Sequence, residues 1–202
     1  QTGLFDAMRV LHQGVEAVEI NSRGGDDRFA VRTLHARTTL NTGAGNDAIY
    51  VGSNATLGDL GQPDTNTGGN LNAINALLTI NGQGSADSDL LDLDDTTDTN
   101  SNHGTLTSTR ITNGVVGSGT TLRLFAAGGS ITYGTLESLV IHLGGSAGQG
   151  NAFTVESTHG VGSLTTISSR AGADVFNIET LTGDLVLSTG EGSDTVRVGS
   201  TT

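Results

Sequence analysis

The chain has 202 residues, 31 of them Gly, with one Pro, no Cys, no Trp, no Lys and a formal net charge of −12. That charge excludes a nucleic-acid binder, which needs basic patches against phosphate. The missing cysteines exclude a disulfide framework and any thiolate metal site.

Gly, Thr, Ser and Asn abound beside small branched apolar residues, a composition suited to short strands joined by tight turns. No run approaches the ~18 apolar residues of a membrane-spanning helix. No secretion signal is visible, so a secreted protein would carry one outside this sequence.

In chain order, "LFDAMRVLHQ" (4–13) is the nearest approach to a helical pattern, yet it aligns with "FAAGGSITYG" (125–134) and reads as strand and turn. Next comes "VEAVEI" (15–20), echoed by "INALLTI" (74–80) and "LESLVI" (136–141). A second pattern begins at Asp27: an acidic or amide residue, then apolar residues two and four positions later. It recurs at Asp27 (Phe29, Val31), Asp47 (Ile49, Val51), Asp89 (Leu91, Leu93), Asn151 (Phe153, Val155), Asp174 (Phe176, Ile178) and Asp194 (Val196, Val198). Each is a half-buried strand of period two behind a turn.

Asp27 and Asp47 stand 20 residues apart, as do Asp174 and Asp194, and Asp47 to Asp89 is 42. A strand-turn-strand unit of 20 residues cannot bury an apolar face alone, whereas stacked units can. The spacing therefore predicts an all-β chain: one continuous parallel β-helix, or β-solenoid, over 1–202, with coils of about 20 residues stacked ~4.8 Å apart. Above that level, "VGS" at 51–53 returns at 198–200 after 147 residues. Residues 1–53 then close one long repeat, and 54–200 form a second. Two stretches break the rhythm, a loop at 54–70 with the single Pro and an acidic loop at 94–104; "TLTSTRIT" (105–112) reads as the strand that follows.

The blocks "TGAGNDAIY" (42–50) and "TGEGSDTVR" (189–197) resemble the haemolysin-type (RTX) nonapeptide G-G-x-G-x-D-x-U-x, with Thr for the first Gly. The longer pattern is similar to giant tandem-repeat secreted or surface bacterial proteins, and the coil length to filamentous-haemagglutinin-type adhesins. The RTX resemblance implies calcium between stacked turns, held here by Asp27, Asp47, Asp174 and Asp194. The residues leave an alternative open, a Gly-permitted turn whose Asp caps amides, with Arg23 or Arg170 supplying countercharge. In the acidic loop, Asp98, Asn100 and Asn102 alternate like the start of a calcium loop, although the rest of an EF-hand is missing.

Asn54 heads the single N-glycosylation sequon. His35 and His159 read as equivalent, stacked surface positions. No nucleophile elbow, phosphate loop or metal-ligand His spacing occurs. The sequence thus predicts no enzyme, with Ca2+ as its one cofactor. The expected function is an extracellular or cell-surface structural repeat protein that builds or spaces a layer or filament. Copies of itself are its expected partners, by head-to-tail stacking. Two alternatives remain: an adhesin contacting partners such as glycans through loops 54–70 and 94–104, and a polysaccharide-active β-helix enzyme, which the scarcity of aromatic sugar platforms opposes.

Overall fold

The computed structural model describes residues 14–59, 61–82, 87–114 and 122–199. Residues 4–13 and 200–202, which carry two of the sequence readings above, lie outside them. Within the described residues the chain is all strand, without a helix. Six strands form one sheet: β2 (Arg28–Val31), β4 (Ala48–Val51), β6 (Leu90–Asp94), β10 (Ser138–His142), β12 (Leu164–Ser168) and β14 (Asp184–Ser188). The other nine are β1 (Ala17–Asn21), β3 (Arg37–Gly43), β5 (Leu77–Gly82), β7 (His103–Thr107), β8 (Arg110–Asn113), β9 (Ser130–Gly134), β11 (Ala152–Val155), β13 (Val175–Ile178) and β15 (Thr195–Val198).

The expected solenoid of uniform coils is not what forms. The strands make two parallel-rich sheets, ordered β14-β12-β10-β6-β4-β2 and β1-β3-β5-β9-β8-β7-β11-β13-β15. Neighbouring strands are 20 residues apart only at the two ends, at Ala17↔Arg37, Arg28↔Ala48, Leu164↔Asp184 and Val175↔Thr195. Between them the step grows to 42 (Ala48↔Leu90), 48 (Leu90↔Ser138) and 53 (Leu77↔Ser130). The cause is chain inserted between sheet partners: the loop after β4, the acidic loop after β6, and a meander. In that meander β8 runs antiparallel to both β7 and β9.

"TLTSTRIT" is accordingly a hairpin, turning at Ser108–Thr109, with Leu106 opposite Ile111. The six apolar pairs also do not share one stack. Phe29/Val31, Ile49/Val51 and Leu91/Leu93 lie in the six-stranded sheet; Phe153/Val155, Phe176/Ile178 and Val196/Val198 lie in the nine-stranded one. Ile141, expected in line with Ile20 and Ile80, sits in the opposite sheet.

Both sheets feed one apolar cluster. In-register columns such as Ile49–Leu91–Leu139 and Val51–Leu93–Ile141–Ile167 face it from the six-stranded side. Ile80–Tyr133 and Leu106–Val155–Ile178 face it from the other. Alternation turns the intervening positions outward, mostly Thr and Asn on the nine-stranded sheet (Thr39, Asn41, Thr79, Asn81, Thr105, Thr154, Asn177) and a mixture such as Tyr50, Asp92, Val140 and Thr166 on the six-stranded one. Strand starts repeat at the 147-residue offset, β1 to β4 recurring as β12 to β15, and the ends repeat too except that β14 stops two residues short of the counterpart of β3. Each recurrence falls in the sheet opposite to its counterpart.

Candidate functional site

The turn that leads into each strand ends on a polar residue, and these residues stack into two columns. In front of the six-stranded sheet the column is Asp27, Asp47, Asp89 and Glu137. Each backbone amide donates to the next side chain: Asp27 N to Asp47 Oδ1 at 2.7 Å, Asp47 N to Asp89 Oδ1 at 2.9 Å, Asp89 N to Glu137 Oε2 at 2.8 Å. In front of the nine-stranded sheet it is Asn102, Asn151, Asp174 and Asp194. The bonds there are Asn102 N to Asn151 Oδ1 at 3.0 Å, Asn151 N to Asp174 Oδ1 at 2.6 Å and Asp174 N to Asp194 Oδ1 at 3.0 Å. Asp27 and Asp47 are thus brought together, as are Asp174 and Asp194, by amide capping between stacked turns.

The inner glycine of the motif has a steric reason. Gly45 (φ +132) and Gly192 (φ +137) take a left-handed backbone, and a Cβ on either would strike the carbonyl of Gly25 or Gly172 in the turn beneath.

The columns differ in their remaining oxygens. In the second, Ser169 Oγ donates to Asp174 Oδ2 at 2.6 Å, Asn151 Nδ2 to the Gly144 carbonyl at 3.0 Å, and Asn102 Nδ2 to Asp95 Oδ2 at 2.7 Å. In the first, Oδ2 of Asp27, Asp47 and Asp89 is buried with no hydrogen-bond partner. Arg23 and Arg170 do not supply countercharge: the ion pairs among the described residues are Arg28–Asp64 at 2.7 Å and His142–Asp92 at 4.0 Å.

At its crowded end the first column meets Asp87. Asp87, Asp89 and Glu137 each bring a carboxylate oxygen within 4.8 Å of the other two. Asp87 Oδ2 accepts from Gly45 N at 3.3 Å, while its Oδ1 is buried and unpartnered. Burial is the main cause that pushes the Asp89 carboxyl up to about 6; the charges of Asp47, Asp87 and Glu137 add to it, against the Asp47 amide. Oxygen-only ligands of this kind suit a hard cation.

The sequence reading placed none of Asp87, Asp89 and Glu137 among the candidate ligands, although Asp89 stands in its turn pattern. For Glu137 the signal was present, since Leu139 and Ile141 follow it at the same two- and four-residue spacing. Asp87 carried none, because it stands where the motif has its inner Gly.

The acidic loop is a hydrogen-bonded staple. Asp98 Oδ1 accepts from Asn100 N and Nδ2, both at 2.8 Å, and its Oδ2 accepts from Asn72 Nδ2 at 2.9 Å. Asn102 Nδ2 donates to Asp95 Oδ2 and also lies near enough to Asp98 to favour its ionised form. Burial works to raise the Asp98 carboxyl, but the bonds from Asn100 and Asn72 outweigh it and hold the group below its ordinary value. Asp95 accepts from Leu71 N at 2.9 Å; burial, aided by the charges of Asp98 and Asp94, pushes its carboxyl up to about 8.

Elsewhere, Asn54 is exposed, and its Nδ2 donates to the Gly68 carbonyl at 2.6 Å. His35 and His159 are not equivalent: His35 is exposed, whereas His159 is buried edge-on to the Tyr133 ring, 5.9 Å between centroids. Desolvation keeps the His159 imidazole below its ordinary pKa. Comparison of the chain with protein-family models, curated proteins and solved structures finds no match.

Proposed function

We propose that the chain is an extracellular structural protein that builds or spaces a filament or surface layer, its copies adding end to end through the edges of the two sheets. The observation that carries this reading is the state of the last strands. Among the described residues nothing pairs with the outer edges of β14 and β15. Their inward positions are apolar, yet Val196 is 46% and Val198 79% exposed, where Phe176 and Ile178 one strand back are 0% and 3%. An open edge with an uncovered apolar face is a template for another strand, from a further coil of the same polypeptide or from a second copy.

The other ends, β1 and β2, offer matching parity: Val18 and Ile20 alternate inward as Leu185 and Leu187 do, and Phe29 and Val31 stand in register with buried Ile49 and Val51 as Val196 and Val198 do with Phe176 and Ile178. Column polarity fits as well. Every amide donates toward the C-terminal side, so Asp194 ends its column on a backbone amide and Asp27 begins the other on a carboxylate. With the sheets exchanged, as they are across the 147-residue offset, β2 of one copy continues β15 of the last.

The extracellular placement rests on the resemblance of the repeat pattern to tandem-repeat secreted or surface bacterial proteins. The adhesin alternative draws less support, because loops 54–70 and 94–104 spend polar groups on each other, as in Gly69 N to Asp94 Oδ2 at 2.5 Å and Thr97 Oγ1 to the Gly69 carbonyl at 2.8 Å. Sedimentation and electron microscopy across a concentration series test the proposal. Linear assemblies that Val198→Asp abolishes support it; a monodisperse monomer at every concentration overturns it.

A further inference from the structure

We propose that Asp87, Asp89 and Glu137 form a divalent-cation site of the calcium type, distinct from the Gly-x-Gly-x-Asp turns and independent of the assembly reading. Three carboxylates converge within 4.8 Å, and each has already committed one oxygen to a backbone amide: Asp89 Oδ1 to Asp47 N, Asp87 Oδ2 to Gly45 N, Glu137 Oε2 to Asp89 N. Those bonds fix where the second oxygens stand. The Asp89 side chain is fully buried, and both its Oδ2 and the Oδ1 of Asp87 lack a partner. A buried carboxylate oxygen without a donor carries the full cost of desolvation, and like charges at this separation repel.

The second column serves as an internal control. It has the same turn and the same amide-to-carboxylate bond, yet Ser169 closes Asp174 Oδ2, and Asn stands at two of its four positions. The orphaned oxygens therefore belong to the acidic column and not to the turn as such. Ser22, placed as Ser169 is, gives its hydroxyl to the Thr42 carbonyl; Ser169 meets the matching Thr189 carbonyl at 2.7 Å but also reaches Asp174 Oδ2, which Ser22 does not do for Asp27. The residue 135 backbone adds a further oxygen, since a Cβ at Gly82 would run into both Asp89 Oδ2 and the Thr135 carbonyl. Glu137 and Thr135 also line a groove of about 520 Å³. Carboxylate and carbonyl donors, without His or Cys in the cluster, select calcium over zinc.

The test is calorimetric titration of chelator-treated protein with calcium, and separately with magnesium, alongside thermal melts. Expected are calcium binding, a raised Tm, and binding weakened by about tenfold or more in Asp87→Asn and Glu137→Gln, since ligand charge count sets affinity. Both variants keep an acceptor oxygen for the amide they serve. Asp174→Asn, in the control column, leaves calcium affinity unchanged. No calcium heat and no Tm shift at about 5 mM, above the roughly millimolar range of weak extracellular sites, overturns the proposal. So does calcium binding that neither cluster variant weakens.

Discussion

The Asp47 side chain does two separable things: its Oδ1 holds the Asp27 amide, and its charge lies against Asp89. Asp47→Ala leaves a stacked amide without its acceptor and is expected to cost about 1–3 kcal/mol. Asp47→Asn keeps an acceptor oxygen and costs less; urea denaturation of the two variants measures the difference. Asp95 sets the pH response. Its folded carboxyl, beside Asp94 and Asp98, titrates near 8 and its unfolded one near 3.8, so the folded chain holds the extra proton between those values. Stability then falls as pH rises from about 4 to about 8 and is flat beyond. Asp89, raised to about 6, adds to the lower part of that slope. Asp98, held below 3.8, acts the other way in a separate window, lending stability that is lost as pH drops beneath its unfolded value. Asp95→Asn is expected to remove the slope between pH 6 and 8 in denaturant titrations; an unchanged slope there would clear Asp95 of the effect. The turn acids were legible because an acid before an alternating run is a local pattern. The staple role of Asp98 was not, because Asn72 lies 26 residues away in sequence.

At the scale of the elements, strand content and inward parity were readable from the period-two pattern, but pairing was not. Alternation fixes which side chains face inward and says nothing of which sheet a strand joins, so six like strands looked like one stack and were two. The β7–β8 hairpin did leave a trace: Leu106 and Ile111 are both buried although five residues apart, which breaks strand parity and demands a turn between them. Gly104 is what lets the hairpin close over the core. A Cβ there would enter the Phe153 ring and crowd Leu124. Gly104→Ala is expected to cost about 1–3 kcal/mol through overpacking, a fall in Tm of roughly 2–10 °C for a domain of this size. A melting curve identical to that of the unaltered protein would show that the ring has room to move.

For the whole molecule, the exchange of sheets across the 147-residue offset sets how copies would meet in the proposed assembly. Placing β2 of one copy on β15 of another brings Asp27 over Asp194, and therefore Arg23 over Gly190. Arg23 occupies the place of Gly43 in the next turn and shares its left-handed backbone, φ 81 against 95. A Cβ on Gly43 would collide with the Arg23 carbonyl beneath it; in the same conformation the real Cβ of Arg23 points at whatever lies beneath its own turn. In the proposed assembly that is the Gly190 carbonyl. In the proposed assembly Arg23 therefore throttles addition at this end, as charged residues on sheet edges do. Arg23→Gly removes that obstruction. The expected result is a concentration for half-assembly about tenfold lower, the equivalent of 1–2 kcal/mol, read by sedimentation at matched pH and salt. Assembly that is unchanged or weakened in Arg23→Gly would mean that copies do not meet with Arg23 over Gly190, and the end-to-end register would have to be abandoned.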